Sequence, residues 1–138
     1  MTPTVLLDTG PLVAFLNARD RHHAWAAKTW SQLPVPLVTC EAVISEAIFL
    51  LKGSSRAQSA VLQLIERGAI QIEAPLGGHA CDIRKIMEKY ETLPTSLADS
   101  ALVWLADLHE RAVVLTLDSD FLVYRLSSGR AIEVLLPI

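Results

Sequence analysis

Cysteine is scarce in this chain: Cys40 and Cys81 are the only two, far apart, with neither a CxxC spacing nor a histidine placed to complete a zinc site. Their rarity excludes a disulfide-stapled scaffold, and both are expected as buried, reduced thiols. An excess of basic charge is also missing, since the net charge is -3 and the pI is near 5.7. That argues against a broad basic face gripping nucleic acid, but not against an enzyme that acts on it. No run of about 18 uncharged apolar residues occurs, and the opening "MTPTVLLDTGPLVAFL" has no basic n-region and is interrupted by Asp8. A soluble, cytoplasmic protein is therefore expected, with no membrane span. Internal repeats, low-complexity tracts and linkers are absent as well, so residues 1–138 are expected to form one domain.

What is present is apolar residue, at 51% with a mean hydropathy of +0.37. This exceeds what a monomer of this size needs, and it predicts an oligomer or a stable partner. The apolar residues fall into a recognisable rhythm. Thr4–Leu7 reads as a buried strand stopped at "DTGP" and followed by a helix to about Asn17. Residues 21–33 read as helix, "PLVTC" as a second strand, 41–52 and 55–68 as a helical pair, and Ala69–Ile72 as a third strand. A helix is expected from after Gly78 to about Tyr90, a break at Pro94, and a strongly periodic helix from Ser96 to about Glu110. Strand "AVVLTL", a short helix over Phe121–Leu126 and a strand at Ile132–Leu135 complete the chain. Short, continuously apolar strands separated by helices predict an α/β fold, with a mainly parallel sheet covered on both faces.

Ligands of such sheets gather beyond the carboxyl ends of the strands, where Asp8 and Asp118 are expected. Each acid of interest also has an ordinary explanation. Asp8 could make an Asx-turn, Asp99 could form a capping box with Ser96, and Asp118 and Asp120 could cap the next helix. Glu46, within "CEAVISEAIFLL", is expected among buried apolar neighbours with no basic residue on its helical face, so a distant arginine or a cation would have to neutralise it. The acids say more together than singly. Packed carboxylates repel unless some are protonated or a cation lies between them, and oxygen-only ligands select Mg²⁺ or Mn²⁺.

The order "VLLDTGPLVAFL", "VISEAIFLL", "LADSALVWLA", "LTLDSDF" resembles the PIN domain, in particular the ribonuclease toxins of type II toxin–antitoxin systems. The resemblance covers nearly the whole chain. It implies a PIN-like three-layer α/β/α sandwich with about five short strands, and a metal-dependent endoribonuclease using Mg²⁺ or Mn²⁺. It also implies a homodimer restrained by a small antitoxin protein, with RNA as substrate. Residue by residue, Asp8, Glu46, Asp99 and Asp118 match the catalytic and metal-binding acids, Asp120 an additional metal-binding acid, and Thr116 a supporting hydroxyl. One position departs from the commonest pattern: Gly10 stands where many toxins carry Asn.

Arg19, Arg21, Lys28, Lys52, Arg56, Arg125 and Arg130 are candidate phosphate contacts, though scattered, and a solvated surface is the ordinary reading for most. His22 and His23, and Trp25, Trp30 and Trp104, have packing as their ordinary reading rather than catalysis or base stacking. Competing classes are weaker. A haloacid-dehalogenase-type phosphotransferase needs an acid where Gly10 stands, and a receiver domain needs paired early acids and a late lysine. The non-enzymatic alternative is a PIN-like module that only binds RNA or protein.

Overall fold

A computed structural model describes residues 2–93 and 95–137. Pro94, the expected break before the last long helix, lies outside them. The chain runs β1 (Thr4–Leu7), α1 (Thr9–Leu16), α2 (His23–Ser31), β2 (Leu37–Thr39), α3 (Glu41–Leu50), α4 (Ser55–Glu66) and β3 (Ile70–Ile72). It continues through α5 (Leu76–Lys89), α6 (Leu97–Leu108), β4 (Ala112–Leu115), a 3-10 turn at Ser119–Leu122, and β5 (Glu133–Leu135).

The five strands pair in the order β3-β2-β1-β4-β5, all parallel. Successive side chains of a strand point to opposite faces, and the two faces bury different partners. Leu6 and Val114 pack with α5, α6 and the 3-10 turn, whereas Val5, Leu7 and Leu115 pack with α1, α2 and α4. Helix α3 serves both layers, giving Val43 to the first and Ile44 and Ala47 to the second. The expected three-layer α/β/α sandwich is the observed one.

Local chemistry sets the element ends. Ser54 Oγ accepts from the Ala57 N–H and Ser96 Oγ from the Asp99 N–H, capping α4 and α6. After α4, Gly68 takes φ +78° while Ala69 N–H bonds the Leu64 carbonyl, closing the helix and turning the chain into β3.

Three expectations shift. Helix α5 begins at Leu76, upstream of the glycines, and bends at His79, whose ring stacks on Trp104 at 4.3 Å. The helix expected over 121–126 is a 3-10 turn at 119–122, because Asp118 accepts from the Asp120 N–H and so starts it early. Cys40 is buried but Cys81 is exposed, since α5 buries only Ile83 and leaves the face with Cys81 open. Among the described residues no helix is long and apolar enough to cross a membrane.

Candidate active site

The strand order reverses between β1 and β4, which share the register Leu6↔Val114. In a parallel sheet this switch point opens a crevice beyond the carboxyl ends of the strands. Asp8 leaves β1 there and Thr116 to Asp118 leave β4. The two strand ends are tied together by side chains. Asp8 Oδ1 accepts from the Thr9 N–H at 2.8 Å and its Oδ2 from Thr116 Oγ1 at 2.7 Å, while Thr116 Oγ1 accepts from the Asp118 N–H at 2.9 Å. The fully buried Thr116 hydroxyl thus fixes the Asp8 carboxylate and the chain carrying Asp118 at once.

The same crevice, about 480 Å³ in volume, is lined by Asp8, Glu46, Asp99 and Asp118, with Thr9, Gly10, Leu50, Ser96 and Leu117 between them. Four acids from four distant segments therefore share one cleft. Asp120 is half-buried in the 3-10 turn and is not part of the cleft wall. Its neighbour Asp118 caps that turn and faces the crevice.

Glu46 is placed differently from expectation. It is exposed, not buried among apolar neighbours, because α3 turns Val43, Ile44 and Ala47 inward and leaves Phe49 and Leu50 exposed at 62% and 53%. No neutralising arginine is needed for a carboxylate on this open face. Its Oε2 accepts from Thr9 Oγ1 at 3.1 Å, which leans it toward Asp8.

The electrostatics bear the mark of crowded acids. Burial raises the pKa of Asp8, the Thr116 and Thr9 hydrogen bonds oppose the rise, and the charges of Asp118 and Glu46 add to it. Asp99 is pushed up to about 6, first by burial and then by Asp8 and Asp118, against hydrogen bonds from Tyr124 and Ser96. Like charges at short range always favour protonation or a counter-cation.

The donor set suits such a cation: the cleft offers carboxylates and hydroxyls, and neither Cys nor His. Among the described residues no three His, Cys, Asp or Glu side chains converge tightly enough to grip an ion unaided. A small hard ion that keeps several waters and needs only one or two direct carboxylates fits this spacing.

Two residues that sequence reasoning passed over belong to the site. Thr9 orients Glu46, and the fully buried Tyr124 donates to Asp99 Oδ2 at 3.2 Å. Thr9 directly follows Asp8 and was within reach of a local reading, whereas no spacing links Tyr124 to Asp99. Gly10 has a steric basis, because a Cβ there would stand 3.1 Å from the Leu117 side chain. Of the other candidates, Trp30 is buried and stacked on Phe15 at 4.1 Å, and Trp104 stacks on His79. His23 Nδ1 lies 2.8 Å from the Ala14 carbonyl, and Arg125 donates to the carbonyls of Leu122, Val123 and Tyr124. These are structural contacts.

The PIN domain family model matches residues 5–125, the span that carries all four acids of the cleft. The chain belongs to the PIN domain family. It is 28% identical over 116 residues to Ribonuclease VapC26 of Mycobacterium tuberculosis (strain ATCC 25618 / H37Rv), covering 83% of this chain and 86% of that protein. Its fold matches the crystal structure of Mycobacterium tuberculosis VapC20, described as a Sarcin-Ricin loop cleaving toxin. That match has a TM-score of 0.77 and 18% identity, and it covers 85% of this chain and 92% of the other.

Proposed function

We propose that the chain is a divalent-metal-dependent endoribonuclease, the toxin of a toxin–antitoxin pair acting in the cytoplasm. The observation that carries this reading is the convergence of Asp8, Glu46, Asp99 and Asp118 on one cleft, with the pKa of Asp8 and Asp99 raised first by burial and further by their neighbours' charges. Family membership and the similarity to a ribonuclease support it.

In this reading Asp8, Glu46, Asp99 and Asp118 would surround Mg²⁺ or Mn²⁺, one or two of them directly and the others through its waters, with Asp120 an additional acid two residues beyond Asp118. Such an ion supplies Lewis-acid activation of the attacking water and neutralises charge on the phosphate and the leaving oxygen. The remaining work is the chain's own. Thr116 and the Thr9 N–H hold the Asp8 carboxylate in one orientation, Thr9 Oγ1 holds Glu46, and Tyr124 holds Asp99. Preset acids need no reorganisation when substrate arrives, which is where a positioned site gains its rate. Raised carboxyl pKa values also mean that some of these acids release protons as the cation enters.

A homodimer and a small antitoxin complete the proposal. Exposed Phe49, Leu50, Leu62 and Leu76 are apolar surface that a partner would cover.

The test is cleavage of a labelled structured RNA by partner-free protein in Mg²⁺, Mn²⁺ or EDTA, beside Asp8→Asn and Glu46→Gln. Metal-dependent cleavage that falls at least 100-fold in both variants is expected, on the order of the loss of a preorganised charge. Because Glu46 is exposed, its substitution tests chemistry without disturbing the core. Cleavage undiminished in excess EDTA would sink the metal reading, and no cleavage under any condition would favour a module that only binds.

A further inference from the structure

Each of the four cleft acids has a carboxylate oxygen already engaged by the protein. Asp8 accepts from the Thr9 N–H and from Thr116 Oγ1, Glu46 Oε2 from Thr9 Oγ1, Asp118 Oδ1 from the Asp120 N–H, and Asp99 Oδ2 from the Tyr124 hydroxyl at 3.2 Å. A carboxylate oxygen held by a fixed donor is less free to turn toward a cation. A cleft built this way offers an ion single oxygens rather than chelating pairs.

Tyr124 is the donor with the fewest other duties. Thr116 also accepts from the Asp118 N–H, Thr9 lies in the first turn of α1, and Ser96, the second hydroxyl that steadies the Asp99 carboxylate, caps α6. The Tyr124 hydroxyl has a single hydrogen and two acceptors, Asp99 Oδ2 and Thr95 Oγ1, the latter at 3.3 Å. Thr95 directs its own hydrogen at the carbonyls of Leu93 and Tyr90, at 2.8 and 3.2 Å, so toward Tyr124 it acts as an acceptor. The ring cannot follow Asp99 if that side chain swings. It is fully buried and meets Tyr90 and Phe121 edge-on, with ring centres 4.9 and 5.1 Å away. The next residue, Arg125, donates its N–H to the Tyr90 hydroxyl at 2.8 Å and its guanidinium to the carbonyls of Leu122, Val123 and Tyr124.

We infer that Tyr124 is a specificity-determining residue of the cleft: by holding Asp99 Oδ2 from a fixed ring, with Thr95 as the competing acceptor, it biases the acids toward Mg²⁺ and against Ca²⁺. The inference rests on the metal-dependent reading above. Mg²⁺ keeps several of its waters and takes one or two carboxylates, so it loses little when an oxygen is engaged elsewhere. Ca²⁺ gathers about six to eight oxygens and readily accepts both oxygens of one carboxylate, so it loses a ligand wherever the protein retains one. Selectivity between the two ions is a matter of ligand number and flexibility, and Tyr124 restricts both at Asp99.

The test is calorimetric titration of Mg²⁺ and of Ca²⁺ into the metal-free full chain at fixed pH and without RNA, with the ratio of the Ca²⁺ Kd to the Mg²⁺ Kd as the readout. Tyr124→Phe keeps the ring between Tyr90 and Phe121 and removes the donor. The ratio is then expected to fall about ten-fold, the lower end of what a hydrogen bond to a charged group is worth. Thr95→Val removes the competing acceptor, gives the Tyr124 hydrogen wholly to Asp99 and should raise the ratio several-fold, whereas Thr95→Ser should keep the wild-type value. An unchanged ratio in Tyr124→Phe would overturn the inference. So would a shift in the same direction in Tyr124→Phe and Thr95→Val, the result expected if loosened packing alone were at work. Should Tyr124→Phe fail to fold, a ratio that does not rise in Thr95→Val overturns it. These outcomes leave the metal site standing, whereas wild-type protein that binds neither cation removes the metal-dependent reading and the inference together.

Discussion

Asp99 illustrates how a single side chain can serve two ends. Its N–H completes the Ser96 cap, and its carboxylate, held by Tyr124, faces the cleft with a pKa of about 6 against an ordinary 3.8. A folded-state pKa above the unfolded one means that the charged form is disfavoured by folding. The associated stability is complete below 3.8 and is lost as pH rises through about 6. Asp99→Asn keeps an oxygen for Tyr124 and removes the charge. In metal-free protein it should therefore stabilise the fold near pH 7.5 by about 1 kcal/mol, discounted because the group is half-exposed, with the gain vanishing below about pH 4. Urea melts at the two pH values check this, and equal effects at both would refute the electrostatic account. Gly10 shows the same economy by steric means. Its missing side chain lets Leu117 close over the start of α1, and a family-typical Asn would have to displace Leu117 next to Asp118.

At the scale of elements, the helix starts carry the site. Helix α1 is capped by Asp8 and α6 by Ser96, so fixing the first turn of each helix also fixes an acid. Helix α4, capped by Ser54, carries none of the four acids. Ser96→Ala and Ser54→Ala should each cost about 1 kcal/mol of stability, the usual worth of such a cap. Only Ser96→Ala should also reduce cleavage, by several-fold, because only there does the loosened turn bear Asp99. Thermal melts with single-turnover rates separate the two, and equal activity losses would show that the caps act through global stability alone.

For the whole molecule, a cluster of carboxylates at the switch point is a destabilising feature that a cation would relieve. Mg²⁺ at ten times its Kd should stabilise the fold by about 1.4 kcal/mol near neutral pH. The effect should shrink near pH 5, because the ion must then displace protons from Asp99 and Asp8, both with raised pKa values. Calorimetric melts with Mg²⁺ and with EDTA at both pH values test it. An Mg²⁺ effect independent of pH would place the ion away from these acids.

The sequence by itself determined the layer architecture and the five strands, because apolar runs of strand length alternating with amphipathic helices have few other ways to bury their surfaces. It also marked the acids worth following: Asp8 and Asp118 by their positions after strands, Glu46 as a carboxylate in an apolar helix without a basic neighbour, and Asp99 by its place in the family's motif order. It misjudged Glu46 and Cys81, since composition shows how apolar a helix is but not which face the fold leaves open. Only the tertiary structure decided that Asp118 rather than Asp120 lines the cleft, that Tyr124 holds Asp99, and that Thr9 holds Glu46. Each depends on residues distant in sequence meeting across the sheet, and no local period or spacing encodes such contacts.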